Sequence, residues 1–417
     1  MFRLTSCSIA ALLVVTHVPE TSLAAWPHLG DLSNTSDQEA DNLPLQLDPK
    51  QCAWVVSLPG PGSSTPLIAK GRIFVTCEMD SQNGIVCLKP DGSESWRRSF
   101  GTAIAGKHRN ASGANPSPVT NGSQIITYYK DTSVACYDFD GQPLWQINLA
   151  DRYGAGKLWW DLGSSPAITS TGVVFAVMHE GESYLVTLDI HTGVEIWRTL
   201  RNYTCAEESD QSYTTPTIVQ CDQVETIVSF GANHLTAHHA QTGKLIWECG
   251  GFNPNDEGLW RTISSAVAGH GIAVTSYGRG EYVCGVRLTG HGDITSSNRI
   301  WTREGIGSDV PTPSIRGQRV TLLGDRGEVH CLDLQTGTSH WQDQLPKSGK
   351  KYYSSPLVVG NRLYCFREDG AAFVCEIDNG LKVLSENNLD EQVIATPVLL
   401  GNDLLVRSRE RLFRFAK

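Results

Sequence analysis

The sequence lacks features that mark several common classes of protein. Beyond its first 24 residues it has no apolar run near the ~20 residues that cross a bilayer. It has no Cys-x-x-Cys pair of the kind that binds zinc or exchanges disulfides. It also has no cluster of Lys and Arg, and its formal net charge is −10. We therefore expect no membrane span and no such zinc site. Because phosphate binding needs concentrated cations, we also expect no nucleic-acid partner.

Glycine and proline, by contrast, are abundant. The 417 residues include 40 glycines and 19 prolines, while 40% of the chain is hydrophobic and 19% is charged. Such a chain can bury a large core, and its dense turn residues favour short strands over long helices. Length alone suggests about two or three domains, but an internal repeat indicates a single unit.

The repeat is clearest between Ser164 and Trp197, where the pattern predicts four short strands. A Ser-Ser-Pro sequence precedes the first strand, glycines separate the next two, and a Thr-Gly turn leads into a last strand that ends in tryptophan. The Ser/Thr-Pro opening recurs at Thr65-Pro66, Ser117-Pro118, Ser165-Pro166, Thr215-Pro216, Thr312-Pro313, Ser355-Pro356 and Thr396-Pro397, with Ser265-Ala266 in the remaining unit. The closing Gly-x-x-x-Trp recurs at Trp96, Trp145, Trp197, Trp247 and Trp341. Unit five reaches Trp301 through an insertion, and unit seven has Leu384 in the same frame.

The two ends of the chain complete the repeat. The eighth unit stops at Phe415 without a fourth strand, while Gln51 to Val56 supplies a strand with Trp54 and no strands before it. The sequence therefore predicts an all-β, eight-bladed β-propeller of four-stranded antiparallel blades, closed by the N-terminal strand in the last blade. We expect the ring tryptophans to be structural, since each buries about 150–250 Å².

The N-terminus has the pattern of a secretory signal peptide. Met1-Phe2-Arg3 gives a positive start, Ile9 to Val15 is apolar, and Ser22-Leu23-Ala24 resembles a cleavage site. The expected organisation is a signal peptide over residues 1–24, an extended arm over residues 25–50 and one propeller over residues 51–417. We therefore expect an exported protein, periplasmic or extracellular. A closed ring has no free edge to hide, so we expect a monomer.

The repeat resembles the PQQ-like (pyrroloquinoline-quinone-type) β-propeller family over about residues 51–417. Asp189 to Trp197 and Asp333 to Trp341 follow its Asp-x-x-Thr-Gly-x-x-x-Trp pattern. This family contains quinoprotein dehydrogenases and also non-catalytic scaffolds, such as the BamB subunit of the outer-membrane assembly machinery. The resemblance therefore implies the fold without fixing the activity.

The resemblance implies two alternative functions. Its dehydrogenases use PQQ with calcium beside a vicinal Cys-Cys disulfide, and many carry a haem-attachment motif. This sequence has no adjacent cysteines and no such motif. The expected function is therefore a non-catalytic binding or assembly scaffold, without a cofactor, that holds an envelope protein or a small polar ligand. The alternative is a PQQ-dependent dehydrogenase of alcohols or sugars, with PQQ and calcium bound.

Removal of the signal peptide leaves an odd number of cysteines. Cys87, Cys136, Cys331 and Cys375 occupy one position of the repeat and are expected to be small buried hydrophobes. Cys77 and Cys87 flank one hairpin symmetrically, as do Cys365 and Cys375, so two cross-strand disulfides are the alternative in an oxidising compartment.

Candidate binding residues lie in the loops that lead into the inner strands and at hairpin tips of the same face. Their type varies between aromatic, acidic and basic, unlike that of the closing tryptophan. This variation favours a polar funnel for a small polar ligand, a sugar or a peptide segment, and a solvated rim is the alternative. No catalytic and no metal-binding residue is predicted. The predicted funnel residues are His108, Arg109, Trp160, Asp161, Asp210, Trp260, Arg261, Arg279, Asp325, Lys350, Lys351, Arg367 and Glu391.

Overall fold

The computed structural model describes residues 35–36, 38–156, 158–178 and 182–417. The predicted signal peptide and the first part of the predicted arm lie outside the described residues. Strands of the described chain form eight antiparallel four-stranded sheets, two of which gain a fifth, parallel strand. The predicted all-β, eight-bladed propeller is confirmed.

Each of the first four blades consists of four consecutive strands, which follow one another from the axis outward. They are Leu67–Ala69, Arg72–Met79, Gln82–Leu88 and Glu94–Phe100 in blade one; Val119–Thr120, Gln124–Tyr128, Ser133–Asp138 and Pro143–Asn148 in blade two; Ala167–Ile168, Val173–Val177, Tyr184–Leu188 and Glu195–Leu200 in blade three; and Thr217–Cys221, Val224–Gly231, His234–His239 and Leu245–Cys249 in blade four.

The last four blades follow the same order. They are Val267–Gly269, Ile272–Tyr277, Tyr282–Arg287 and Arg299–Glu304 in blade five; Ser314–Arg316, Arg319–Leu323, Glu328–Asp333 and Ser339–Gln344 in blade six; Leu357–Val359, Arg362–Phe366, Ala371–Glu376 and Lys382–Asn388 in blade seven; and Val398–Leu400, Asp403–Arg407, Arg411–Phe415 and Trp54–Ser57 in blade eight. Gly292–Asp293 adds to the outer edge of blade four, and Thr35–Ser36 adds to the axial side of blade seven. The helices of the described chain are short: Ala150–Tyr153 and Thr295–Asn298 are α-helical, and Ala40–Asn42, Glu207–Asp210 and Gly278–Gly280 are 3-10 turns.

The predicted closure of the ring is confirmed. Trp54 pairs with Arg414 in an antiparallel ladder that runs to Ser57 and Arg411. The Trp54 indole N–H donates to the carbonyl of Pro90 in blade one, 3.0 Å away. The last sheet therefore contains both ends of the propeller domain and contacts the first sheet through its tryptophan.

The Gly-x-x-x-Trp pattern has a direct physical explanation. The Trp145 indole of blade two donates to the carbonyl of Ile190 in blade three, at 2.9 Å. Gly193 of that same turn has a φ of +68°, and a Cβ added there would lie 2.8 Å from the Trp145 ring. Glycine therefore serves both the left-handed turn and the close approach of the neighbouring tryptophan. Trp96 and Gly141 repeat this arrangement between blades one and two.

Between blades seven and eight, the N-terminal arm occupies a seam where the closing tryptophan is missing. Leu43 and Leu47 are buried in a core shared by residues of blade seven, including Tyr364, and of blade eight, including Phe413. The Tyr364 hydroxyl donates to the carbonyl of Pro44 at 2.9 Å. The arm thus adds buried apolar side chains next to blade seven, which has Leu384 where other blades have the closing tryptophan.

The cysteines behave as small core residues. All eleven cysteines of the described chain are free thiols, and burial raises the pKa of Cys87 to about 11 and that of Cys136 to about 12. The two cross-strand disulfides that the sequence left as an alternative do not form in the described chain. The register explains why, since Cys77 lies opposite Gly84 and Cys365 lies opposite Phe373.

Candidate functional site

A cavity of about 600 Å³ opens on the face where the inner strands begin. Its walls come from the loops that lead into those strands and from the hairpin tips of blades five and six. Its volume is in the range of pockets that bind small molecules. We call this cavity the funnel.

A belt of hydroxyl groups surrounds the axis at the level where the inner strands start. The backbone N–H of Ser117 donates to the hydroxyl of Ser165 at 2.9 Å, and the N–H of Ser165 donates to that of Thr215 at 2.9 Å. The same bond links six successive pairs of blades, from blade one to blade seven, through Thr65, Ser117, Ser165, Thr215, Ser265, Thr312 and Ser355. This belt explains why the hydroxyl of Ser265 is kept where the proline of the repeat is lost.

Residues 106–112, between blades one and two, fold across the mouth of the funnel. The ring of His108 lies 5.8 Å from the Trp160 ring and 6.4 Å from the Tyr353 ring, centroid to centroid. The backbone N–H of Asn110 donates to Nδ1 of His108 at 3.2 Å. Because Trp160 precedes blade three and Tyr353 precedes blade seven, three aromatic rings bridge opposite sides of the ring of blades.

Asp161 fixes this loop from the blade-three side. Its carboxylate accepts the backbone N–H groups of Lys107 and His108, both at 2.8 Å, and forms an ion pair with Lys130 at 2.6 Å. Its side chain is 3% exposed. The carboxylate therefore holds the loop that carries His108, with little surface left for a ligand.

Glu368 fixes the loop from the blade-seven side. Its carboxylate accepts hydrogen bonds from the Asn110 amide at 2.9 Å and from the backbone N–H of Lys351 at 3.0 Å. It also forms an ion pair with Arg109 at 2.9 Å. A single buried carboxylate thus positions both the loop across the mouth and the segment that carries Lys351.

Acidic and basic groups interlock in the wall formed by blades five and six. Arg261 lies 3.5 Å from the carboxylate of Glu208 and 3.9 Å from that of Asp309. Asp325 accepts the backbone N–H groups of Asp309 and Val310 at 3.0 and 3.3 Å. Burial and the neighbouring charge of Asp309 raise the pKa of Asp325 to about 6. Asp325 therefore changes charge within the physiological range.

The structure brings seven of the predicted residues into the funnel lining and leaves the others outside it. Those in the lining are His108, Trp160, Asp161, Arg261, Arg279, Asp325 and Lys351. Of the others, Arg109 pairs with Glu368, Arg367 with Asp369, and Glu391 with Arg411. Asp210, Trp260 and Lys350 also lie outside the lining of the funnel.

The period of an extended chain explains this division before blades five and seven, although the consecutive residues Trp160 and Asp161 both line the funnel. Successive side chains of an extended segment point to opposite sides. Arg261 and Lys351 line the funnel, whereas the residues immediately before them, Trp260 and Lys350, do not. The sequence prediction had included both residues of each pair.

Several lining residues were absent from the prediction. Tyr353 lies two positions beyond Lys351 on the same side of the extended chain, so the period of two could have found it. Tyr213 follows the predicted Asp210 by three positions, and Asp210 lies outside the lining. Asn110, Asp309 and the hydroxyl belt also line the funnel. Glu368 lies outside the lining and holds Asn110 in place by a hydrogen bond. These two residues are far apart in the sequence, so no local pattern predicts their contact.

The acidic side chains of the wall are held mainly by groups of the protein itself. Within the described ranges, no three His, Cys, Asp or Glu side chains are grouped so that they could hold a metal ion. The carboxylate of Asp161 is occupied by Lys130 and two amides, and that of Asp325 accepts two amides. His108 occupies the space between the facing rings of Trp160 and Tyr353. The Asp161 and Asp325 carboxylates of the described chain are therefore already engaged by protein groups.

The comparison with protein families agrees with the repeat. The family model described as outer membrane protein assembly factor BamB matches residues 81–343 and 251–413. The chain belongs to this family of PQQ-like propellers. The outer membrane protein assembly factor BamB of Escherichia coli (strain K12) is 28% identical over 104 residues, and that of Salmonella typhimurium is 27% identical over 104 residues. Each match spans 25% of this chain and 25% of the relative, so the chain matches a quarter of the length of these relatives.

Solved structures share the fold at low identity. BamB from Moraxella catarrhalis has a TM-score of 0.63 and 14% identity, covering 88% of this chain and 97% of that one. A europium-containing methanol dehydrogenase has a TM-score of 0.69 and 11% identity, covering 92% and 96%. The quinohemoprotein alcohol dehydrogenase from Comamonas testosteroni has a TM-score of 0.67 and 11% identity, covering 92% and 78%. Scaffold and enzyme thus share this architecture. No helix in the described part of the chain is long and apolar enough to cross a membrane.

Proposed function

We propose that this protein is an exported, non-catalytic scaffold that holds a segment of another envelope protein in its funnel. One observation carries the proposal: the funnel presents Trp160, Tyr353, Arg279 and Lys351 around a cavity of about 600 Å³, on loops fixed by buried carboxylates. Preorganised aromatic and charged side chains around a concave site favour recognition, because little conformational entropy is lost on binding.

The family supports the same function. The matching family model is described as an outer membrane protein assembly factor, and so are the relatives. We base the proposed envelope location on these relatives. The enzyme relatives share only the fold, at 11% identity. The proposal is also supported by the described residues, in which no three His, Cys, Asp or Glu side chains are grouped to hold a metal ion.

Co-purification from the envelope fraction of the native cells tests this proposal. We expect the wild-type protein to retain a defined envelope protein and Lys351→Ala to lose it, because Lys351 lines the funnel. Lys350→Ala is the matched control, since Lys350 is exposed and lies outside the funnel lining. Both variants should unfold at the wild-type temperature, as neither removes a buried side chain.

The same purified protein tests the enzymatic alternative. Addition of PQQ and calcium should produce no new absorbance band and no dye-linked oxidation of alcohols or sugars. Saturable quinone binding with turnover would contradict the scaffold proposal. Retention of the same envelope partner by Lys351→Ala would also contradict it, because the partner would then bind elsewhere.

A further inference from the structure

The charged groups of the funnel differ sharply in exposure. The carboxylates of Asp161 and Asp309 have side chains that are 3% and 12% exposed, whereas the Arg279 side chain is 43% exposed. Lys351 is also exposed and lines the funnel. The acidic groups of the lining are therefore largely buried, and Arg279 and Lys351 are its most exposed charges.

The buried carboxylates are held by groups of the protein itself. Asp161 accepts two backbone N–H groups and pairs with Lys130. Asp309 lies 3.9 Å from Arg261 and 3.8 Å from Arg279, and Asp325 accepts two backbone N–H groups. Glu208 lies 3.5 Å from Arg261. The hydrogen bonds to Asp161 and Asp325 leave these two carboxylates little capacity to bind a cationic ligand, and Asp309 lies largely buried beside Arg261 and Arg279.

The two exposed cations retain capacity for a ligand. Lys351 is exposed, and its charge acts on the Asp325 carboxylate, where it opposes the rise of that group's pKa. Arg279 reaches Asp309 only through Nε, at 3.8 Å, which is longer than a hydrogen bond. Arg279 lies in the turn Gly278–Gly280 at the tip of a hairpin, where its backbone has a φ of +56°. Both cations can therefore donate charge-assisted hydrogen bonds to an incoming carboxylate.

The charge of the whole protein does not prevent this. The formal net charge is −10, but charges more than about 8 Å apart are largely screened at physiological salt. A carboxylate inside the funnel thus responds mainly to the charges of the lining, of which Lys351 and Arg279 are the most exposed. The rings of Trp160, His108 and Tyr353, which all line the funnel, offer apolar surface to the rest of an extended chain.

From this geometry we infer that the segment held in the funnel is an acidic peptide, whose Asp or Glu carboxylates contact Lys351 and Arg279. This inference rests on the proposed scaffold function and specifies its ligand. The aromatic bridge of Trp160, His108 and Tyr353 contacts the peptide, and the hydroxyl belt below it offers donors to the carbonyl groups of the peptide.

Calorimetric titration of the full-length protein with three blocked pentapeptides tests the inference. The peptides alternate glycine with glutamate, glutamine or lysine, and glucuronate provides a small acidic comparison. We expect the glutamate peptide to bind about tenfold more tightly than the glutamine peptide, as charge-assisted hydrogen bonds exceed neutral ones. Lys351→Gln and Arg279→Gln should each weaken glutamate-peptide binding by about tenfold. Lys350→Gln should leave it within about twofold, as expected for a rim charge outside the contact.

The outcomes separate the ligand class from the scaffold function. Equal binding of the glutamate and glutamine peptides, with no effect of Lys351→Gln, would overturn the acidic specificity and leave peptide binding in place. Binding of glucuronate without any peptide would overturn both the acidic-peptide inference and the protein-segment function. Equal loss of binding in Lys350→Gln and Lys351→Gln would overturn the assignment of the contact to Lys351.

Discussion

At the scale of single residues, buried carboxylates organise the funnel. Asp161 and Glu368 hold the loop that places His108 between Trp160 and Tyr353. Asp325 holds the backbone of Asp309 and Val310, which leads into blade six. Asp325 differs in one respect, because burial and the charge of Asp309 make its ionised form unfavourable.

The raised pKa of Asp325 predicts a pH-dependent stability difference. The pKa rises from 3.8 to about 6 on folding, so the folded state binds the proton more tightly than the unfolded state. The contribution of Asp325 to the stability of the wild type is therefore lost as the pH rises from about 4 through 6. We expect Asp325→Asn to be more stable than the wild type at pH 8 by about 1–3 kcal/mol, and to lose this advantage near pH 4.

Denaturant unfolding at pH 4.5 and pH 8 measures this difference. Asp140→Asn provides the control, since the Asp140 side chain is 80% exposed and should not alter the pH profile. Asp309 and Lys351 affect the same carboxylate from neighbouring loops, so both are left unchanged. An Asp325→Asn protein with the same stability difference from the wild type at both pH values would contradict the raised pKa, and one destabilised more at pH 8 than at pH 4.5 would show that the ionised carboxylate is favourable.

At the scale of structural elements, neighbouring blades share a tryptophan–glycine contact, and the seam between blades seven and eight is packed differently. A tryptophan of one blade packs on a glycine turn of the next, as Trp145 does on Gly193. Blade seven has Leu384 in the frame of this tryptophan, and the arm residues Leu43 and Leu47 are buried at its seam with blade eight. The arm is therefore part of the core of the last seam.

This packing predicts a difference between neighbouring leucines of the arm. Leu43→Ala and Leu47→Ala should each lower the free energy of unfolding by about 2–5 kcal/mol, because both side chains are buried. Leu45 is 39% exposed, so Leu45→Ala should have a much smaller effect. Thermal and denaturant unfolding of the three variants provide the comparison. Equal stability of all three would show that the arm lies on the surface of the ring instead of within the seam.

At the scale of the whole molecule, closure could be predicted from the sequence and the funnel only in part. The missing strand after Phe415 and the unaccompanied strand at Trp54 together implied their pairing, since an unpaired edge is unfavourable in a closed ring. Alternation along the extended loops would have separated Lys351 from Lys350. The bond between Asn110 and Glu368, by contrast, joins residues 258 positions apart and depends on how a loop crosses the mouth. No local pattern contains that information.

The whole-molecule arrangement also predicts where a partner binds. Inner strands run from the funnel to the opposite face, so Tyr353 and Asn402 lie toward opposite faces of the propeller. Tyr353 lines the funnel, and Asn402 is exposed in the turn after Val398–Leu400. Tyr353 and Asn402 can therefore each be replaced by the same crosslinking residue, one on each face.

Photo-crosslinking in the native cells tests the funnel as the binding site most directly. A photoreactive phenylalanine derivative replaces either Tyr353 or Asn402, and adducts are identified by mass spectrometry. The account predicts a discrete adduct from position 353 to an acidic segment of one envelope protein, lost when Lys351→Gln is added, and no such adduct from position 402. An adduct to that protein from position 402 alone, or unchanged yield at position 353 in the Lys351→Gln protein, would contradict it.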